Sequence, residues 1–224
     1  GMSQAAAAEI AAYMTDLGHP LVTVQEFAFR TEDMTPQLFS MRQAGADAVL
    51  LINSLVDDTR KLLQNREEIG WDVPVLASLT TTNYAVGIAR DIGVEAFEGV
   101  VSVQFSGMTY CPGDEIGSSA FARFAARATA AYPDIASVGG PSGIAPFYVE
   151  PLILAQAING AGTTDGAAVA AWIEANAASI DNMLGTFGAS SESHFLPSAD
   201  AMVVVQNAFS QREDGLVERA QCGA

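Results

Sequence analysis

Residues 44–78, AGADAVLLINSLVDDTRKLLQNREEIGWDVPVLAS, switch twice between two hydrophobic patterns. The run Ala46 to Ile52 is almost wholly apolar, which predicts a strand covered on both faces, as in parallel sheets. It ends at Asn53-Ser54, and Ser54 with Asp57 three residues later resembles a capping box that opens a helix. Leu55, Val56, Leu62, Leu63 and Ile69 supply the buried face of that helix, and Gly70 supplies its stop. Val73 to Ala77 is a second apolar run. The segment therefore predicts a βαβ unit. In open α/β sheets ligands bind beyond the carboxyl ends of the strands, which directs attention to Asn53, Ser54 and the Leu79-Thr80-Thr81-Thr82 segment.

The same alternation extends along the chain. Ser3 to Gly18 predicts an alanine-rich helix with an apolar stripe of Ile10, Tyr13, Met14 and Leu17. Pro20 to Phe29 predicts a strand. Thr35-Pro36 offers an N-cap with proline at the first helical position, for a helix to about Gln43 that stops at Gly45. A helix near Asn83 to Asp91, a strand from Gly99 to Phe105 and a helix from Ser118 to Tyr132 follow. The glycines and proline of Ser137 to Ser142 break the rhythm. Beyond them, Ile144 to Ala161 is helical with Pro151 expected to end or kink a turn. Asp165 to Asn176 is a further helix, and Met202 to Ala208 the clear strand of the tail. The expected fold is an open parallel α/β sheet flanked by helices. Its expected divisions are 1–136, a connecting segment 137–143, and 144–224.

Composition narrows the function. The chain has 26 acidic and 10 basic residues, a formal net charge of −16. Phosphate-backbone binding needs clustered cations, so nucleic acid is excluded as a partner. Anionic membranes are equally poor partners. The scattered acids, Asp57-Asp58 and Glu67-Glu68 among them, are expected on solvated helix faces. No apolar run is long enough to span a bilayer. Residues 1–18 lack the basic and apolar regions of a signal peptide. Cys111 and Cys222 show neither CxxC nor zinc-ligand spacing, and Cys111 is expected as a free, small apolar side chain.

Catalytic patterns are lacking. His19 and His194 have no spaced partner and are expected as ordinary surface or satisfied histidines. The GGPSG run around Ser142 does not satisfy G-x-S-x-G. Neither a G-x-G-x-x-G nor a Walker A lysine motif occurs. No enzyme, metal or cofactor is expected. Binding remains: a hydroxyl at a helix N-terminus, as at Ser54, suits a carboxylate. Taken by itself, Ser54 is more ordinarily a plain helix cap than a ligand contact. Thr80, Thr81 and Thr82 repeat the arrangement at the next strand end, and two neighbouring polar, uncharged loops favour a small-molecule cleft.

The ordered segments LGHPLVTVQEFAFRTEDMTPQLFSMRQAGADAVLLINS, REEIGWDVPVLAS, EAFEGVVSVQF, FARFAARATAAYPD and FYVEPLILAQAINGAGTTDGAAVAAWIEA carry a family resemblance. They resemble the C-terminal lobe of type I periplasmic solute-binding proteins, in particular the leucine/isoleucine/valine-binding branch of ABC transporters, with part of the first lobe following. The resemblance covers nearly the whole chain. It implies a hinged receptor that captures a small solute between two lobes and hands it to a membrane permease in the periplasm. Ser54 falls where such proteins often contact ligand. Leu79-Thr80 falls where amino-acid binders often carry an acid for the ligand ammonium, so leucine there favours a carboxylate without an amine, such as an aromatic or aliphatic acid. Tyr148 matches the tyrosine of the family's "Y-D-A" helix, with Val149 and Glu150 in the last two places. Together the implied ligand contacts are Asn53, Ser54, Leu79, Thr80, Thr81, Phe105 and Tyr148.

The resemblance also implies a gap. Family members enter this lobe through a strand that precedes the helix at Ser3–Gly18, in the middle of the sheet, after a complete first lobe. Without it the strands on either side lose their neighbour. A truncated reading frame, or a second chain filling the gap (a homodimer included), accounts for this. A ligand-sensing domain of the same fold, outside transport, is the alternative function.

Overall fold

A computed structural model describes residues 2–53 and 55–223. Its contacts divide the chain into two compact units, Gly1–Ser102 and Val103–Ala224.

The first unit holds helix α1 (Met2–Asp16), α2 (Thr35–Gln43), strand β1 (Val49–Leu51), α3 (Val56–Glu68), β2 (Val75–Ala77), α4 (Leu79–Ile92) and the start of β3 (Val100–Phe105). The strands are parallel: Val49 pairs with Val75, and Val75 with Val100. The βαβ reading of 44–78 is therefore correct, with both strands shorter than the apolar runs. Their faces differ from expectation. Val49, Leu51, Val75 and Ala77 are buried, but Leu50 is 41% and Leu76 46% exposed. One face of these strands is covered and the other open, the pattern of a half-covered sheet rather than one covered on both sides.

Pro20 to Phe29 forms no strand. Its burial nonetheless alternates with a period of two: Leu21, Thr23, Gln25 and Phe27 are half-buried, while Val22, Val24, Glu26 and Ala28 are exposed. That is the side-chain rhythm of a strand. A ladder also needs a neighbouring strand, and β1 is the end strand of its sheet, paired on one edge with β2.

At the amino ends of the strands a buried cation fixes the sheet. Arg66 of α3 donates to the carbonyls of Val73, Ala96 and Glu98, each at 2.9 Å. Gly70 takes φ of +57° just past α3, the stop anticipated for that helix.

The second unit contains the end of β3, β4 (Thr109–Tyr110), α5 (Ala120–Ala131), α6 (Gly140–Ala161), α7 (Gly166–Asn176), β5 (Met202–Gln206) and β6 (Val217–Glu218). β5 lies next to β3, and β4 pairs with β6 in parallel. α5 and α7 begin at true side-chain caps, Ser119 to the Ala122 amide at 2.9 Å and Asp165 to the Ala168 amide at 3.0 Å. The break expected at 137–142 is a short 3₁₀ turn, Ile135–Val138, followed directly by α6. α6 passes through both Pro146 and Pro151 without ending.

Cys111 and Cys222 form a disulfide with Cα atoms 5.8 Å apart, so Cys111 is not free. Their separation in sequence hid the pairing, since chain order says nothing about which distant thiols meet. Among the described residues no helix is long and apolar enough to cross a membrane.

Candidate functional site

The carboxyl ends of β1 and β2 carry a cluster of uncharged polar side chains. Asn53, just past β1, is buried and occupies its centre. Its amide nitrogen donates to the Leu55 carbonyl at 2.6 Å and to Thr59 Oγ1 at 2.9 Å. Its Oδ1 accepts the Ser78 hydroxyl at 3.1 Å, and its backbone carbonyl accepts the Thr80 hydroxyl at 3.4 Å. Thr59 and Thr81, both fully buried, share a hydrogen bond of 3.2 Å, and Thr82 and Ser102 share one of 2.7 Å. Each strand end is thus tied to the next by neutral groups.

Helix starts supply the second ingredient. α4 begins at Leu79, four residues before the sequence reading put it, so the Leu79–Thr82 segment is its first turn rather than a loop. Ser78 is its N-cap residue, makes no side-chain cap bond, and is spent on Asn53 instead. No acid lies in the first turn of α4. α3 differs. Its N-cap is Leu55, without a side-chain cap, and Asp57 and Asp58 stand in its first turn. Those two acids answer the positive end of the α3 dipole from within the chain. The first turn of α4 carries no acid of its own, which makes it the better place for an anion.

Among the sequence-derived residues, Asn53, Leu79, Thr80 and Thr81 gather here. Leu79 and Thr80 are half-buried, while Thr81 is sealed in by Thr59 and faces no solvent. Ser54 lies outside the described residues, so the proposed cap with Asp57 does too. Phe105 and Tyr148 belong to the second unit. Phe105 is buried, and Tyr148, 41% exposed, stacks on Phe124 with ring centroids 4.8 Å apart. Sequence reasoning missed Ser78 and Thr59. Ser78 had a signal, a hydroxyl closing an apolar strand; Thr59, inside a helix, had none.

Asp58 also departs from expectation. It is only 4% exposed rather than solvated. Burial first, and the neighbouring Asp57 second, push its carboxyl above the usual range, opposed by the Arg30 backbone amide. It lines a groove of about 780 Å³ between 21–29 and Val49–Asn53. His194 remains exposed and pairs with Glu174 at 3.0 Å, beside a smaller hollow of about 260 Å³ in the second unit. Among the described residues no group of three or more His, Cys, Asp or Glu is placed to hold a metal ion.

Comparison with known proteins places this geometry. The chain is similar to the type 1 periplasmic binding protein from Bordetella pertussis Tohama I, with a TM-score of 0.67 and 23% identity over 88% of this chain and 52% of that one. It is similar to the leucine-binding protein LivK from Thermotoga maritima, with a TM-score of 0.60 and 22% identity over 87% and 51%. A fatty acid ABC transporter substrate-binding protein from Thermomonospora curvata gives 0.64 and 16% over 86% and 46%. The chain spans about half the length of these solved structures. A search of curated proteins finds no match. At such identities the likenesses establish the fold, an α/β sheet flanked by helices. The family follows from a separate observation: the model described as periplasmic binding protein matches residues 2–211, and the chain belongs to that family.

Proposed function

We propose that this chain is a solute-binding component of an ABC transporter, of the branched-chain amino acid type, that takes up a small carboxylate at the ends of β1 and β2. One observation carries the reading: the start of α4 offers backbone amides and the positive end of a dipole with no side-chain cap and no acid in its first turn. Ser78, Leu79 and Thr80 surround that start, held in place through Asn53. Ser54 is assigned to the same contact by family resemblance.

The chemistry of these residues selects the ligand. The start of α4 offers backbone amides and, from Leu79, one aliphatic surface, while the Ser78 and Thr80 hydroxyls donate to Asn53; none of these residues supplies an anion for an ammonium group. The carboxylate should therefore carry an aliphatic or aromatic body rather than an α-amine. The similar structure described as a fatty acid ABC transporter substrate-binding protein supports an amine-free carboxylate, while the one described as a leucine-binding protein supports only the coarser class of small carboxylates. Capture followed by transfer to a membrane permease, in an exported setting, agrees with the Cys111–Cys222 disulfide, since such bonds persist in oxidising compartments.

The test is an amide-resolved NMR titration with octanoate, phenylacetate, 4-methylpentanoate and L-leucine, each beside its carboxamide. Saturable shifts at the Leu79 and Thr80 amides with an amine-free carboxylate, and none with its amide, are expected. Shifts confined to other parts of the chain would overturn the assignment.

A further inference from the structure

We propose that the hollow between α7 and residues 187–197 binds a small aliphatic monoamine, with its ammonium on Glu174 and its hydrocarbon body against Ile173 and Leu196. The hollow lies wholly within the second unit, on residues that the carboxylate reading does not use.

Two side-chain periods converge on it. Ala170, Ile173 and Glu174 stand at i, i+3 and i+4 of α7 and so share one face of that helix. Opposite them the chain folds back on itself. Phe187 bridges Pro197 in antiparallel fashion, and the Gly188 amide donates to the Leu196 carbonyl at 2.8 Å. Ser190 and Ser193 close the turn, exchanging backbone bonds of 2.8 and 3.2 Å. His194 and Leu196, two residues apart, take the same side of the returning arm and line the hollow with Ala189. Phe195, between them, is 71% exposed, as that alternation requires.

Small residues keep the space open. Ala170 and Ala189 each place a single methyl where a longer side chain would close the gap, and a volume of about 260 Å³ remains. At roughly 30 Å³ per water-sized unit, this holds about eight non-hydrogen atoms. Four of the six lining residues are hydrocarbon, so ordered water finds few polar partners there and an apolar body is the better occupant.

Charge selects the head group. Glu174 is sheltered, with its side chain 29% exposed, and among the described residues its carboxylate meets one partner, His194 Nε2 at Oε1 across 3.0 Å. A carboxylate accepts through both oxygens, so Oε2 is left for an incoming N–H donor. An anionic ligand would meet Glu174 and a chain of net charge −16, whereas a cation is drawn to both. A diamine would set its second charge against the hydrocarbon wall, which disfavours it.

The probe is isopentylamine, added to the isotope-labelled full chain and followed by NMR. The chain has two histidines, so His19→Gln assigns the imidazole signals of His194. We expect saturable shifts at the His194 imidazole and the Ile173 and Ala189 methyls, with a dissociation constant of about 1 mM or tighter. Isopentanol, its neutral counterpart, should bind at least tenfold more weakly, and Glu174→Gln should weaken the amine to the same extent. Ala170→Leu, at an exposed position of α7, should fill the hollow and abolish binding. Melting curves establish that each variant is folded, and the two variants act independently. Equal binding of isopentanol, affinity undiminished by Glu174→Gln or by Ala170→Leu in a folded chain, or no saturable shift would overturn the proposal. Amine-induced shifts confined to Leu79 and Thr80 would place the amine at the start of α4 and overturn it as well.

Discussion

The Ser78 hydroxyl donates to Asn53 Oδ1 across 3.1 Å and so ties the end of β2 to the end of β1. Asn53 in turn holds Thr59 and the Leu55 carbonyl, so one side chain fixes both helix starts. Truncating Asn53 leaves several buried groups unpaired, whereas truncating Ser78 leaves one acceptor of Asn53 unfilled. Asn53→Ala should therefore cost about 2–3 kcal/mol of stability and Ser78→Ala about 1 kcal/mol. Urea denaturation of both variants and of the double variant checks this, with the double costing less than the sum because the two share a bond.

Asp58 should be a net burden at neutral pH. Its folded-state pKa is raised by burial and by Asp57, so ionising it opposes folding as pH rises from the unfolded value through the raised one. Asp58→Asn keeps an acceptor for the Arg30 amide and removes the charge. The variant should be more stable than the parent at pH 7 by roughly 1 kcal/mol, with the gap closing as pH falls toward 4. Melting curves of both proteins across that range decide it; an unchanged gap at every pH contradicts the account.

Asp214 should behave in the opposite sense. Arg212 grips it with two bonds, Nε to Oδ1 at 2.9 Å and Nη2 to Oδ2 at 2.7 Å, and the Gly117 amide adds a third at 2.9 Å. These hold its carboxyl below the usual range. The stability they supply is present above the unfolded value and is lost as pH drops through the folded one. Asp214→Asn should cost about 1.5–3 kcal/mol at pH 7, with the difference beginning to narrow only near the unfolded value of about 4 and closing once pH falls below the lowered folded one. Arg212 also lies 4.2 Å from the Tyr110 ring centre, so Arg212→Lys should lose more than charge accounting predicts.

Reduction of Cys111–Cys222 should selectively weaken the second unit. The bond closes a loop of 111 residues, for which the chain-entropy model gives about 4–5 kcal/mol. Cys222→Ser should lower the midpoint of 103–224 by hydrogen exchange while leaving the protection of Val75 and Leu63 in the first unit largely intact. Equal loss in both units contradicts it.

Much of this architecture was written in the hydrophobic rhythm. Residues 44–78 announced a βαβ unit because apolar runs and helical spacing are local properties, and the stops at Gly45 and Gly70 follow from backbone conformation alone. Pro20 to Phe29 misled because its alternation reports strand propensity, while a strand exists only with a partner. The exposed Leu50 and Leu76 misled for a related reason: an apolar run cannot say how many faces will be covered. Asp58 looked like half of a solvated acidic pair, yet which of two adjacent acids turns inward depends on where the helix docks. Of the site, Asn53 and Thr80 were legible as polar residues ending strands. Thr59 and the disulfide were not, because both depend on which distant segments fold against each other.

The central claim is that the start of α4 binds a carboxylate, and Leu79→Asp tests it most directly. An acid in the first turn of α4 complements the helix dipole, so the variant should fold and melt slightly higher than the parent. The measurement is its dissociation constant for the tightest amine-free carboxylate, set against that of the parent chain. The account predicts affinity at least tenfold weaker, equivalent to about 1.4 kcal/mol, in a protein no less stable. Unchanged affinity would contradict it.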